Sequence, residues 1–107
     1  MKRYIRAASY KFDPNSDNVI QAIADGLNID INTAKFIAKI NAEDIDDNGF
    51  TTDDECVDYI IDSTPERMKE ILFNEGYKGL VQWSGADYAN KFIDAAKSLG
   101  IDVDAYL

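Results

Sequence analysis

Residues 44–55 read Asp-Ile-Asp-Asp-Asn-Gly-Phe-Thr-Thr-Asp-Asp-Glu and hold the side chains best suited to chemistry. Oxygen-bearing side chains stand at the first, third, fifth, ninth and twelfth positions, and a glycine at the sixth permits a sharp turn. Calcium takes roughly six to eight oxygen ligands, and one curling loop supplies them at this spacing. The segment therefore predicts a calcium site. Its predicted ligands are Asp44, Asp46, Asn48, Phe50 through its backbone carbonyl, Thr52 and Glu55.

This segment resembles an EF-hand loop at every ligand position. The resemblance implies a single Ca²⁺ held between two helices, with Glu55 as the bidentate ligand. It departs from the family at Thr51, where an aliphatic residue normally pairs with a second hand, and at Cys56, where a bulky apolar residue is usual. Residues 13–24 begin with a similar alternation, but Ala24 at the twelfth position cannot bind calcium. The implied site is therefore a lone one, structural or buffering.

The same residues also fit a turn without metal. Asn48-Gly49 is a good turn pair. Thr52 and Glu55 have the spacing of a capping box, and Asp53 and Asp54 would lie at a helix N-terminus, where the dipole favours anions. The sequence leaves both interpretations open, because each places Glu55 in the first turn of the same helix.

Charge points to a basic partner. The net charge is −9, yet residues 1–12 carry four basic residues and no acid, so the other residues sum to −13. A field of this sign repels nucleic acid and attracts basic protein surfaces, although solubility alone also accounts for an acidic surface. The predicted partner-binding acids are Asp44, Asp46, Asp47, Asp53, Asp54, Glu55 and Asp58.

In size and charge the chain resembles small inhibitors from phages and mobile elements, of the anti-CRISPR and anti-restriction type. That resemblance implies a non-enzymatic DNA mimic, whose carboxylates block the basic surface of a nucleic-acid-binding effector. Direct contact with nucleic acid is disfavoured.

Composition bears on whether the protein is an enzyme and on where in the cell it is located. The sequence has no histidine, which removes the commonest general base, and acids on both sides of Cys56 should blunt its thiol. A single cysteine allows no internal disulfide, and no apolar run could span a bilayer or act as a secretory signal. We therefore expect a non-enzymatic, cytoplasmic protein that forms one domain over residues 1–107.

A third functional hypothesis comes from residues 23–37, which resemble a helix-turn-helix core. Asn28 replaces the usual turn glycine, since asparagine tolerates the left-handed conformation. The resemblance implies a DNA-binding regulator that reads DNA through Asn32, Lys35 and Lys39. That helix carries only two basic residues, and the chain has a net charge of −9. Both facts argue against tight DNA binding.

The predicted fold class is α+β, mostly helical, with about five short helices and two or three short strands. The predicted strands are residues 2–12, 80–83 and 101–104. The first two predicted helices have Ser16 or Asp17, and Asp30 or Asn32, as their caps. The third runs from about residue 52 to 62, the fourth starts at residues 63–66 and ends at Gly76, and the last carries Tyr88 and Phe92 and stops at Gly100. Trp83 is either a core side chain or a half-exposed interface anchor.

Overall fold

The computed structural model describes residues 10–106, and within them regular structure is entirely helical. The helices are α1 (Asp17–Leu27), α2 (Ile31–Asn48), α3 (Asp53–Ser84) and α4 (Ala86–Ser98), followed by a 3-10 turn at Val103–Tyr106. The chain forms two compact units, one up to Asp62 and one from Ser63 onward.

The first unit is built on the pair α1 and α2. Ile23 and Ala24 of α1 are buried, as are Ala34, Ile37 and Ala38 of α2. The two sets follow helical spacing, and the alanines let the helix axes approach closely. Fully burying a side chain such as Ile37 contributes about 1.5–3 kcal/mol, so this apolar seam holds the pair together.

The second unit centres on α4 and the later part of α3. Ala89, Phe92, Ile93 and Ala96 form one buried stripe along α4. The 3-10 turn also contacts α4 and buries Val103. From α3, the unit buries the side chains of Met68, Leu72 and Leu80.

The α+β prediction is wrong for the described residues. Residues 80–83 are helical, and residues 101–104 enter the 3-10 turn instead of a strand. Residues 10–12 have no regular secondary structure, and the rest of the first predicted strand lies outside the described residues. A short, mostly apolar run such as Leu-Val-Gln-Trp at residues 80–83 fits a helix as well as a strand, and here the neighbouring helix extends through it.

The predicted third and fourth helices form one element. Pro65 lies inside α3 and removes one backbone N–H, at a usual cost of about 3 kcal/mol, yet the helix continues. Gly76 has a φ of 67° and a ψ of −177°, a non-helical combination essentially restricted to glycine, so α3 consists of two helical segments joined at a kink and the predicted helix end at Gly76 is confirmed. The second segment follows the kink and reaches Ser84.

Candidate functional site

The acid-rich segment lies at the ends of two helices, joined by a short turn at residues 49–52. We define the acidic junction as the seven predicted partner-binding acids, Asp44, Asp46, Asp47, Asp53, Asp54, Glu55 and Asp58. All are exposed except Asp44, which is half-buried. The sequence has no lysine or arginine between Lys39 and Arg67, so no cation from this stretch offsets them.

Local hydrogen bonds shape the turn. α2 ends at Asn48, whose side-chain Nδ2 donates to the Asp44 carbonyl at 2.7 Å. Gly49 then adopts a left-handed conformation with φ of 70°, which commonly ends a helix. The Asn48-Gly49 turn predicted from the sequence is present.

Glu55 stabilises the start of α3. Its Oε1 accepts from the Thr51 N–H at 3.1 Å and from the Thr51 hydroxyl at 2.9 Å. The Glu55 N–H donates to the Thr52 hydroxyl at 3.2 Å. The bonds from Thr51 favour the charged carboxylate and lower the pKa of Glu55. This arrangement is a variant of the capping box, with Thr51 as well as Thr52 taking part.

The predicted calcium ligands are not arranged as a loop in this conformation. Asp44 and Asp46 lie on α2, and a two-residue step along a helix points their side chains to nearly opposite sides. The Phe50 ring contacts the Tyr59 ring, with centroids 5.3 Å apart. Within residues 10–106, no three Asp, Glu, Cys or His side chains converge as a metal site would require.

Calcium would fit these residues only if the last turn of α2 unwound and Glu55 left Thr51. The carboxylate donors suit the ion, but their present placement does not. Calcium binding by Asp44, Asp46, Asn48, Phe50, Thr52 and Glu55 stays a prediction.

The two halves of the acidic junction differ in their relation to the helix dipoles. Asp53, Asp54 and Glu55 occupy the first turn of α3, where the positive pole stabilises them. Asp46 and Asp47 occupy the last turn of α2, at its negative pole, and that turn contains no basic residue. Folding stability therefore accounts for the acids on α3 but not for those on α2.

A cluster beside the junction was not predicted from the sequence. The Tyr10 hydroxyl donates to Asp53 Oδ1 at 2.7 Å and lies 3.3 Å from Cys56 Sγ. Burial, followed by the hydrogen bond to Asp53, raises the pKa of Tyr10. Burial also raises the pKa of the Cys56 thiol, which has no exposed surface. A protonated, buried thiol is a poor nucleophile.

The α1–turn–α2 segment has the hairpin geometry that the sequence predicted. Asn28 adopts φ of 57° and ψ of 52°, the left-handed conformation expected of it. Asp30 caps α2, since its side chain accepts from the Thr33 N–H at 3.0 Å. The candidate DNA contacts are exposed on α2: Asn32, Lys35 and Lys39. DNA binding through them stays a prediction.

Large apolar side chains are exposed on the second unit. Phe73 is 80% exposed and Trp83 is 75% exposed. For Trp83 the core interpretation is wrong, since the side chain is exposed, and its role as an interface anchor stays a prediction. Phe73 directly follows the buried Leu72, and nothing in the sequence pattern predicted its exposure.

Comparison with protein-family models, curated proteins and solved structures finds no match to this chain. Within the described residues, no helix combines the length and apolar character that crossing a bilayer requires.

Proposed function

We propose that the protein is a non-enzymatic binding module, and that its acidic junction occupies a basic surface on a partner protein. The placement of Asp46 and Asp47 carries this proposal. They are exposed at the negative pole of α2, where their charge opposes helix stability. Charges that cost folding stability are typical of residues retained for binding.

The capped turn supports the same proposal. Glu55, Thr51 and Thr52 hold the start of α3 through four hydrogen bonds, so the exposed acids on either side belong to ordered helix ends. Fixed carboxylates lose less conformational entropy on binding than carboxylates on a disordered tail.

The partner that fits best is a cytoplasmic, nucleic-acid-binding effector. Its lysines and arginines are arranged for phosphates, and a row of carboxylates can take the place of phosphates as hydrogen-bond acceptors. In this proposal the protein inhibits its partner, as anti-CRISPR and anti-restriction proteins do. Charge of the same sign as DNA would keep the protein itself off nucleic acid.

The buried thiol of Cys56 and the shifted Tyr10 hydroxyl support a non-enzymatic role. Both groups have pKa values raised by burial, so neither is activated as a nucleophile or base near neutral pH. The sequence also lacks histidine, the usual activator of such groups.

The test compares two variants of equal net charge. In the junction variant four exposed acids become asparagine: Asp46, Asp47, Asp54 and Asp58. In the control variant four exposed acids elsewhere become asparagine: Asp25, Asp94, Asp102 and Asp104. Each variant loses four negative charges, so its net charge is −9 + 4 = −5. Isothermal titration calorimetry with a decalysine peptide then measures affinity at low and moderate salt.

We expect the junction variant to lose about tenfold in affinity, since four exposed ion pairs at roughly 0.35 kcal/mol each sum to about 1.4 kcal/mol. The control variant should bind decalysine nearly as the wild type does. Equal losses in the two variants would show that only total charge matters, and the acidic junction would then not be the binding surface.

A further inference from the structure

We propose that an open groove on α3, lined by Glu75, Gly79, Leu80 and Trp83, binds an arginine side chain of a protein partner. All four residues belong to the second unit. The inference goes beyond the function proposed above, because it uses none of the residues of the acidic junction.

The absence of a side chain at Gly79 lets the Glu75 side chain lie along the helix. A Cβ atom added at Gly79 would lie 2.9 Å from Glu75 Oε1 and 2.9 Å from Glu75 Cβ. Real side chains essentially never approach so closely, so the Glu75 carboxylate occupies the space that a residue 79 side chain would take.

Glu75 and Trp83 line the same groove. Positions 79 and 83 are four residues apart, and side chains at that spacing are neighbours about 5–6 Å apart. Glu75 precedes the kink at Gly76, and the space left open at Gly79 accommodates its side chain.

The groove combines three features that suit a guanidinium group. Trp83 is 75% exposed, and an indole ring is the best aromatic partner for a cation. Leu80 is buried and lines the same groove, so it adds apolar surface for the methylene groups of the side chain. The Glu75 carboxylate supplies the negative charge, and the planar guanidinium can stack and donate to it at once.

The charge of the groove selects a cation over other ligands of a tryptophan. Within residues 10–106, no hydrogen bond or ion pair involves the Glu75 carboxylate. A nucleobase could stack on Trp83, but its phosphate would meet this carboxylate at close range and be repelled. A neutral aliphatic side chain would leave the carboxylate unused.

The sequence contains one tryptophan, so its indole N–H gives one resolved signal in a ¹H–¹⁵N spectrum. The probe is the capped peptide acetyl-Gly-Arg-Gly-amide. Its reference is the same peptide with citrulline, which is nearly the same shape but neutral. We expect the arginine peptide to shift the Trp83 signal saturably at millimolar concentrations, and the citrulline peptide to shift it much less.

Three variants retain Trp83, whose indole signal reports binding. They test whether the charge at Glu75 and the space at Gly79 are needed for it. Glu75→Gln should weaken the arginine peptide about two- to fivefold, the range of an exposed ion pair. Gly79→Ala should also weaken it, because the added Cβ would lie 2.9 Å from both Glu75 Cβ and Glu75 Oε1 and so forces the local backbone as well as the carboxylate to move. Glu70→Gln removes the same charge from an exposed position of α3 outside this groove and should leave binding unchanged.

The proposal is wrong if the citrulline peptide shifts the signal as strongly, if Glu70→Gln weakens binding as much as Glu75→Gln, or if the arginine peptide gives no shift. None of these outcomes bears on decalysine binding by the acidic junction. If the acidic junction failed to bind decalysine, the expected result of the Trp83 titration would likewise be unchanged.

Discussion

Neutralising one acid should change stability in opposite directions at the two helix ends of the acidic junction. Asp47 lies in the last turn of α2, at a negative pole, and Asp54 lies in the first turn of α3, at a positive pole. A charge in the terminal turn of an exposed helix changes stability by about 0.3–1 kcal/mol. Asp47→Asn should therefore raise the free energy of unfolding by about 0.5 kcal/mol, and Asp54→Asn should lower it by about 0.5 kcal/mol.

The pair is well matched. Each substitution changes the net charge from −9 to −8, so the long-range repulsion of the whole chain falls equally. Asparagine and aspartate have similar intrinsic helix propensities, so that contribution nearly cancels. The remaining gap of about 1 kcal/mol corresponds to about 4–8 °C in Tm for a domain of roughly this size.

Urea unfolding followed by far-ultraviolet circular dichroism would measure both variants, at low salt and at roughly 0.5 M salt. The gap should shrink at high salt, because exposed charges are then screened. If both variants were stabilised by the same amount, general charge repulsion would be the dominant effect. Asp46 and Asp47 would then oppose folding no more than other acids do, and the main support for the binding proposal would be lost.

Further predictions concern three sites in the first unit. Asn28→Ala should lower the free energy of unfolding by about 1 kcal/mol in urea titrations, because alanine resists the left-handed conformation at φ of 57°; Asn28→Gly should be tolerated, and equal stability of the alanine variant would contradict the assigned turn. The raised pKa of Cys56 means that its protonated thiol stabilises the fold, so stability should decline as pH rises above the ordinary value of 9.0 and through the folded value. Cys56→Ala should flatten that alkaline decline in Tm. If the variant showed the same decline as the wild type, another group would be its cause. The lowered pKa of Glu55 has the opposite consequence: its stabilisation is present above the ordinary value of 4.5 and is lost as pH falls through the folded value, so Glu55→Gln should reduce the acid dependence of Tm. If the EF-hand-like prediction is correct, excess calcium should raise the Tm of the wild type but not that of Glu55→Gln. An equal Tm shift with magnesium, or no shift with calcium, would show that the prediction is wrong.

Local signals predicted the first unit well. Asn28 marks the end of α1 as predicted, and of the two predicted caps for α2, Asp30 and Asn32, it is Asp30 that caps the helix. Turn and cap chemistry depends on bonds within four residues, so one sequence contains all the information it needs. The helical spacing of the apolar residues around Ile23 in α1, and around Ile37 in α2, likewise indicates the faces that become buried.

The errors in the second unit lie at Pro65 and at Gly79. The proline pattern predicts a new helix start, yet α3 continues through Pro65, whereas Gly76 breaks the helix as the sequence predicts. Gly79 bounds the predicted strand at residues 80–83, although a glycine inside a helix costs only about 1 kcal/mol. Tertiary contacts can offset such penalties, and nothing in a short window of sequence reports those contacts.

The candidate site shows a different limit. Glu55 has one position in the sequence that serves either a calcium loop or a helix cap, and the hydrogen bonds from Thr51 decide for the cap in this conformation. The contact between Tyr10 and Asp53 joins residues 43 positions apart, so sequence spacing could not reveal it. The acids themselves were found from composition, because long-range charge requires no precise geometry.

The exposure of Trp83 decides which optical methods can follow this protein. An indole that is 75% exposed in the folded state already emits as it would in water, so its fluorescence should change little on unfolding. A melting curve recorded from tryptophan emission would look flat for a cooperatively folded protein. The same emission, accessible to a soluble quencher from the outset, would become informative once a partner covered the ring.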